Sequence, residues 1–416
     1  MAGSGVFQYP AFVRLWLSDT VKWLGLFTSN LALQLLLIET LQADQADLGL
    51  VRSAQWLPSL LFGMLVGVLV DRVRRRPVLI AGDTICAVVF ATIGVLALLG
   101  ELTVPMVAAL VLVSGTASVA SMAAHQSFLP RLVPMSLLPS ANSRIEQSMT
   151  AAESVGPLLA GSLVRFLSAP VAILVNGVTY AVSAVMVSLI RVQEPAPVRG
   201  PDRHIGRELS EGFRWVYRHR TLAPYAIALH TWFFFNSSVM TIFVFYASQE
   251  IGLDPVSIGL VLAASGISGV LAAGLTPRLA ERFGLGRICV LADWLTPVAF
   301  LIALVAPVGP RGVLVLLAGQ LVYGVANGLK GPLEGSYRNA VTPDRLRARM
   351  NATIRSFNWG TITVSAPLAG WFASAYGNRP AIAVAIGGLV VAALILTLSP
   401  FRSVVMPSDE PDEPEA

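Results

Sequence analysis

The chain has 416 residues, 55% of them hydrophobic and only 13% charged, with a mean hydropathy of +0.69 and a net charge of +5. A soluble domain is about one quarter charged, so water is excluded as the solvent for most of this protein. The positive charge does not mark a nucleic-acid-binding face either, because the basic residues stand at the ends of apolar runs, as topology signals do.

Taken in chain order, the apolar runs predict six membrane spans in the first half, at roughly 12–38, 50–71, 77–99, 103–126, 139–166 and 169–191. Six more follow at roughly 222–248, 255–279, 287–307, 311–334, 347–375 and 378–399. Lipid cannot satisfy backbone amides, and the runs lack dyad alternation, so helices are predicted rather than barrel strands. The first run is too long for a signal-peptide core and no small-residue cleavage site follows it, so it is expected to remain in the mature protein. Cys86 and Cys289 fall inside spans and read as small buried apolar residues.

Orientation follows from the arginines. Arg72, Arg74, Arg75 and Arg76 follow the second span, Arg131 and Arg144 the fourth, and Arg199 to Arg220 the sixth. Arg278, Arg282 and Arg287 surround the loop after the eighth, and Arg338 to Arg349 follow the tenth. The alternate loops hold little positive charge beyond Arg311. Both termini are therefore expected in the cytoplasm, in a multi-pass protein of the inner (plasma) membrane. Residues 1–192 and 222–400 are expected to be two six-helix bundles joined by a cytoplasmic linker, 193–221. Within the linker, Leu209, Phe213, Trp215 and Val216 predict an amphipathic helix lying at the inner surface. The acidic, proline-rich residues 401–416 read as a disordered cytoplasmic tail.

The second half repeats the first. Pro134, Asn142 and Gly161 recur 209 residues later as Pro343, Asn351 and Gly370. Asp71-Arg72 and Asp83 recur 210 residues later as Glu281-Arg282 and Asp293. Six spans per copy preserve orientation, so the copies are parallel and related by an axis along the membrane normal. The expected fold is an all-α membrane protein of twelve transmembrane helices in two parallel six-helix pseudo-repeats. Such a duplication places a cavity between the halves near the midplane and lets them rock.

Gly67-Val-Leu-Val-Asp71-Arg72-Val-Arg74-Arg75-Arg76, between the second and third spans, resembles the signature of the major facilitator superfamily. A degraded copy with Glu281 and Arg282 sits in the second half. Within that superfamily, Phe128 to Pro134, Ala141-Asn142-Ser143 and Gly156-Pro157-x-x-x-Gly161 resemble the branch holding the enterobactin exporter and macrolide efflux proteins. The resemblance implies a cytoplasmic gate at Gly67, Asp71, Arg72, Arg75, Arg76 and Asp83, with Glu281, Arg282 and Asp293 as counterparts. It also implies a pliant, antiporter-like fifth helix at Gly156, Pro157 and Gly161, although Ser148 replaces an upstream family glycine. The acidic residue that this branch usually carries in its first span is absent, since the run reads Lys22-Trp-Leu-Gly25-Leu26.

Ionisable groups inside lipid are functional candidates. Glu153 stands near the centre of the fifth span with no cation within one turn, which suits a reversible proton carrier, a substrate contact or a structural hydrogen bond. Asp19 and, 211 residues on, His230 are further coupling candidates, the histidine otherwise being a packed hydrogen-bonding group. The chain has two lysines: Lys22 is expected to pair with Asp19 at i,i+3 and Lys330 with Glu334 at i,i+4, as structural pairs or as gating charges. Glu146 and Arg355, 209 residues apart, carry opposite charges on equivalent cytoplasmic-half positions. Asn236, Phe235 and Trp359 are candidates for lining a substrate cavity, the aromatics being equally suited to helix packing.

No ATP-binding Gly-x-x-x-x-Gly-Lys-Ser/Thr motif occurs, and no residue cluster has catalytic or metal-ligating spacing. No cofactor, catalytic residue, metal or nucleic-acid partner is expected. The partners are a small-molecule substrate and the bilayer, and the expected unit is a monomer. The leading expectation is a secondary active transporter, exporting a small amphipathic molecule such as an antibiotic, siderophore or metabolite in exchange for protons. The alternatives are an importer or uniporter, or a non-transporting membrane scaffold or sensor of the same fold.

Overall fold

Helix dominates because every backbone amide in lipid must be satisfied within its own segment. The computed structural model describes residues 5–63, 73–192, 194 and 205–406. Gly67, Asp71 and Arg72, most of the expected linker, the side chain of Leu209 and the tail from 407 lie outside the described residues.

The first half holds α1 (Pro10–Leu35), α2 (Gln45–Phe62), α3 (Arg75–Leu99), α4 (Val104–Phe128), α5 (Leu138–Phe166) and α6 (Ala169–Ser188). After α7 (Ile205–Arg218), the second holds α8 (Leu222–Phe245), α9 (Pro255–Phe283), α10 (Leu285–Leu304), α11 (Pro310–Ala340), α12 (Asp344–Tyr376) and α13 (Asn378–Leu398). Among the described residues, nine helices are long and apolar enough to cross a bilayer: α1, α3, α4, α6, α8, α9, α10, α11 and α13. That count leaves out α2, whose continuation beyond Gly63 is not described, and the more polar α5 and α12. Together with α9 they join the two halves, α2 against α12 and α5 against α9, so they face protein more than lipid. Large apolar side chains point outward on the remaining helices, among them Val88, Val185, Leu301, Leu314 and Val384. Acyl chains, not water, are the natural neighbours of such a belt.

The duplication is visible in fine detail. α1 ends in a π-helical turn, Leu36–Thr40, and α8 ends in another 210 residues later, Tyr246–Glu250. An aspartate then caps the next helix in each copy. Asp44 accepts from the Asp47 amide at 2.9 Å, and Asp254 accepts from the Val256 amide at 3.0 Å. The Ser257 hydroxyl, donating to Asp254 at 2.7 Å, holds that exposed carboxyl below the usual carboxylate range.

The crossings between halves are copies of one another too. A Cβ on Gly161 of α5 would lie 2.2 Å from the Pro255 carbonyl oxygen of α9, and one on Gly370 of α12 would lie 2.2 Å from that of Gln45 in α2. Gly49 against Ala366 and Gly259 against Pro157 repeat the arrangement, at 2.5 and 2.4 Å. Backbone meets backbone only because these positions lack side chains. All four glycines lie toward the end of the bundle where arginine is scarce. Polar links tie that end as well: Gln45 donates to Asn378 at 3.2 Å, and Ser374 donates to Asp44 at 3.2 Å. Gly161→Val is therefore expected to force α5 from α9 there. In a background lacking Cys86 and Cys289, a cysteine at Val256 should then react several-fold faster with a membrane-impermeant maleimide. Unchanged labelling would mean that the crossing does not close this end.

At the arginine-rich end, α7 docks on the second half instead of resting on lipid as expected. Val216 is fully buried, Trp215 donates to Thr342 at 3.2 Å, and Glu211 pairs with Arg349. An amphipathic helix needs a partner for its apolar stripe, and here α8 and α12 supply it. Residues 401–406, within the segment expected to be disordered, are described and ordered. Phe401 is fully buried with its ring stacked on Tyr225, centroids 5.1 Å apart, because one large aromatic in a polar segment gains most by docking.

Candidate functional site

Charge buried in lipid must be paired or must face a polar space. In the first half, four ionisable groups from three helices converge. Lys22 of α1 lies 3.2 Å from Asp19 and 3.8 Å from Asp83 of α3, and His125 of α4 meets Asp19 at 2.6 Å. Ser183 of α6 donates to Asp83 at 2.5 Å. The expected Lys22–Asp19 pair is present, and Asp83 joins it, two turns from the arginines at the start of α3. Sequence reasoning misses His125; its signal is a lone histidine between Glu101 and Arg131.

In the second half Lys330 of α11 pairs with Asp293 of α10 at 2.9 Å, and its ammonium stands 3.6 Å above the Trp232 ring. This corrects the expected Lys330–Glu334 pair. Neighbouring turns of one helix make i,i+4 contact possible, but a facing aspartate on the next helix offers a shorter path. Glu334 is buried without an ion pair among the described residues. Each of the two lysines is thus held by one of the matching aspartates, Asp83 and Asp293, though the lysines come from non-equivalent helices. The resemblance groups both aspartates with the gate signature, whereas the structure seats them in buried lysine pairs.

Other parts of that signature lie at the arginine-rich end. The backbone amides of Arg75 and Arg76 donate to Glu194 at 2.6 and 2.9 Å, a carboxylate seated on the N-terminus of α3. Arg76 also donates to the Val187 and Ser188 carbonyls. Glu281 and Arg282 are exposed near the end of α9.

Arg52 and Glu153 each lack both an ion pair and a hydrogen bond among the described residues. Arg52 of α2 is half-buried, makes no ion pair or hydrogen bond there, and its Nε is buried without an acceptor. Glu153 of α5 likewise makes neither contact, and its side chain is accessible. Tyr323 of α11, in the opposite half, is within electrostatic reach of both. Asn236 and Asn327 stand beside Tyr323. The Asn236 carbonyl oxygen and Trp23 Nε1 are also buried without hydrogen-bond partners among the described residues. Across the halves, Trp56 of α2 faces Trp359 of α12 with ring centroids 5.8 Å apart. A cation, a carboxylate, a phenol and aromatic rings on these helices are the chemical equipment for a charged amphipathic ligand. Sequence reasoning also overlooks Arg52, although it is the sole charge between Asp47 and Asp71.

The remaining candidates are dispersed. Glu146 is exposed and Arg355 lies over the Trp359 ring at 5.3 Å, with no ion pair between them. Phe235 packs its ring on Gly388 of α13, within its own half. Gly156 abuts Phe27 of α1, while Pro157 and Gly161 lie on α9. His230 bridges two elements, Nδ1 to the Asn358 side-chain oxygen at 2.7 Å and Nε2 to the Tyr217 hydroxyl at 2.8 Å. This is the geometry of a neutral imidazole that donates through Nδ1 and accepts through Nε2. It fastens α7 to α8 and α12, and burial pushes the Tyr217 phenol up to about 12.

The sequence profile of the family described as "Transmembrane secretion effector" matches residues 3–414. The chain is 25% identical over 343 residues to the multidrug efflux pump Tap of Mycolicibacterium fortuitum, covering 80% of this chain and 81% of the pump. It is 26% identical over 223 residues to macrolide efflux protein A of Streptococcus pyogenes, covering 53% of this chain and 54% of that protein. In fold it is similar to the nucleoside transporter NupG, with a TM-score of 0.75 at 14% identity over 93% of this chain and 98% of that one. A bacterial homologue of the iron transporter ferroportin, in an inward-facing state, gives a TM-score of 0.71 at 16% identity over 95% and 99%. Because the profile match runs almost end to end and the fold agrees, the chain belongs to the transmembrane secretion effector family of the major facilitator superfamily, whose members are transporters and not enzymes.

Proposed function

We propose that this transporter exports a small amphipathic molecule in exchange for protons, by alternating access about a central site formed by Arg52, Glu153 and Tyr323. One observation carries the reading. Arg52 and Glu153 stand unpaired between the halves, while the buried aspartates and lysines elsewhere are matched to one another. An unpaired charge in the membrane is unfavourable unless something that enters the site meets it. A substrate with both an anionic and a cationic group would meet Arg52 with one and Glu153 with the other, and a proton taken up by Glu153 would displace the cationic group and so favour release.

Direction and orientation rest on further support. The relatives named for efflux favour export. The positive-inside bias favours a cytoplasmic side for the arginine-rich end and both termini, in the inner (plasma) membrane. The close glycine crossings at the opposite end favour an inward-facing reading of the conformation. Asp71 and the arginine cluster are proposed to act as the gate when the inner mouth closes.

Everted membrane vesicles carrying the chain test the reading. Acidifying the lumen should drive accumulation of a zwitterionic fluoroquinolone or a cationic macrolide, and nigericin should release it. Arg52→Gln should raise KM for the carboxylate-bearing drug about tenfold or more, the worth of a charge-assisted hydrogen bond of about 1.5–3 kcal/mol. The macrolide, lacking an anion, should be unaffected. Accumulation that survives collapse of the pH gradient would instead identify a uniporter, and equal loss for both drugs would remove Arg52 from the substrate site.

A further inference from the structure

The molecule has an arginine-walled cavity at its arginine-rich end. It opens between α7 and the start of α12, has a volume of about 570 Å³, and is walled by Arg214, Arg218, Arg220 and Arg345 over a floor of Trp215 and Leu346. None of the four guanidinium groups makes an ion pair among the described residues. The carboxylate that also lines the cavity, Glu211, is held by Arg349. Asp344, beside Arg345, is highly exposed and pairs with Arg347 at 2.8 Å.

Two further features favour negative charge. The amino terminus of α12 has no side-chain cap, and its first turn supplies Arg345 and Leu346 to the cavity wall. The Leu346 and Arg347 amides bond back to the Pro343 carbonyl, and the helix dipole there adds to the positive field. His219, also in the wall, has its Nδ1 occupied as an acceptor for the Thr221 and Leu222 amides, each at 3.3 Å. A neutral imidazole so held carries its proton on Nε2, which leaves a donor rather than an acceptor free.

Four like charges around one cavity repel, and topology alone would not require them to converge. Signals for orientation act anywhere in a short loop near a span. A fork of guanidinium donors above an aromatic floor is instead the chemistry that grips a phosphate.

We propose that this cavity binds a phosphate group, carried by an anionic lipid headgroup or by a soluble phosphate compound. Bound there, the phosphate would bridge α7 to α12 and so tie the segment between the halves to the second one. The site is independent of the central one and needs no transported substrate.

The test uses the full chain purified in detergent, with native mass spectrometry to count retained phosphatidylglycerol or phosphatidylcholine and calorimetry to follow inorganic phosphate. The wild type should hold phosphatidylglycerol at least tenfold more tightly than an Arg214→Gln/Arg218→Gln variant, with phosphatidylcholine indifferent to the change. An Arg214→Lys/Arg218→Lys variant with an unchanged melting temperature should recover part of the binding, which separates lost charge from lost fold. Variant-sensitive binding of inorganic phosphate without a preference for phosphatidylglycerol would assign the site to a soluble phosphate. Retention of phosphatidylglycerol equal in all variants, or no binding of either probe, would overturn the proposal.

Discussion

Lys330→Met is expected to be the most destabilising single substitution in the membrane core, at about 3–5 kcal/mol, the usual penalty for orphaning one member of a buried ion pair. Asp293 is 3% exposed and has Lys330 as its one partner among the described residues, and the lysine also stands over Trp232. Removing the ammonium strands the carboxylate and removes a cation–π contact together. Thermal unfolding in detergent should show the loss. The pair itself need not stabilise the fold relative to apolar residues, so Lys330→Met combined with Asp293→Leu should restore most of the stability. The matching change in the first half, Lys22→Met, should be milder, because Asp19 keeps His125 and Asp83 keeps Ser183. If the double variant were no more stable than Lys330→Met, the pair would be doing something beyond mutual compensation.

Glu153→Gln is expected to abolish pH-driven accumulation while sparing substrate exchange. The amide preserves shape and hydrogen bonding but cannot carry a proton. One proton per cycle turns a unit of pH difference into roughly 1.4 kcal/mol, a tenfold substrate gradient. In everted vesicles that gradient should collapse to the uncoupled level, whereas counterflow of labelled against unlabelled drug should continue. Glu146, two turns back on the same helix, is the described carboxylate within electrostatic reach, and it is exposed. Glu153 makes no ion pair or hydrogen bond among the described residues, and His230 is committed to Asn358 and Tyr217. Coupled accumulation persisting in Glu153→Gln would move the proton site to the Asp19–Lys22–Asp83–His125 cluster.

Much of the architecture is legible in the chain alone. Charge-free runs and arginine punctuation are local properties, and lipid turns them directly into helices and loops. The duplication is legible for the same reason. Residues match at a fixed spacing, and that spacing is physical, in the paired π-turns at Leu36–Thr40 and Tyr246–Glu250 and in the mirrored glycine crossings. The Lys22–Asp19 pair is also local, one turn of one helix.

Partner choice across helices is not legible in this way. Lys330 has a carboxylate within its own helix and takes one from the next, because burial rewards the shortest and best-satisfied contact whatever its distance in sequence. Asp83 reads as part of a surface signature and is buried against Lys22. Arg52 is plain in the sequence as a lone charge in an apolar run, yet its significance is the absence of a described counter-charge, which only its neighbours in space can reveal.

The sequence by itself thus determined the solvent, the helices and their twofold repetition, since hydrophobicity and periodicity are written residue by residue. Only the tertiary structure decided which buried charges pair with one another, where an amphipathic helix finds its cover, and which helices of the two halves cross. Those outcomes depend on side chains brought together from distant helices.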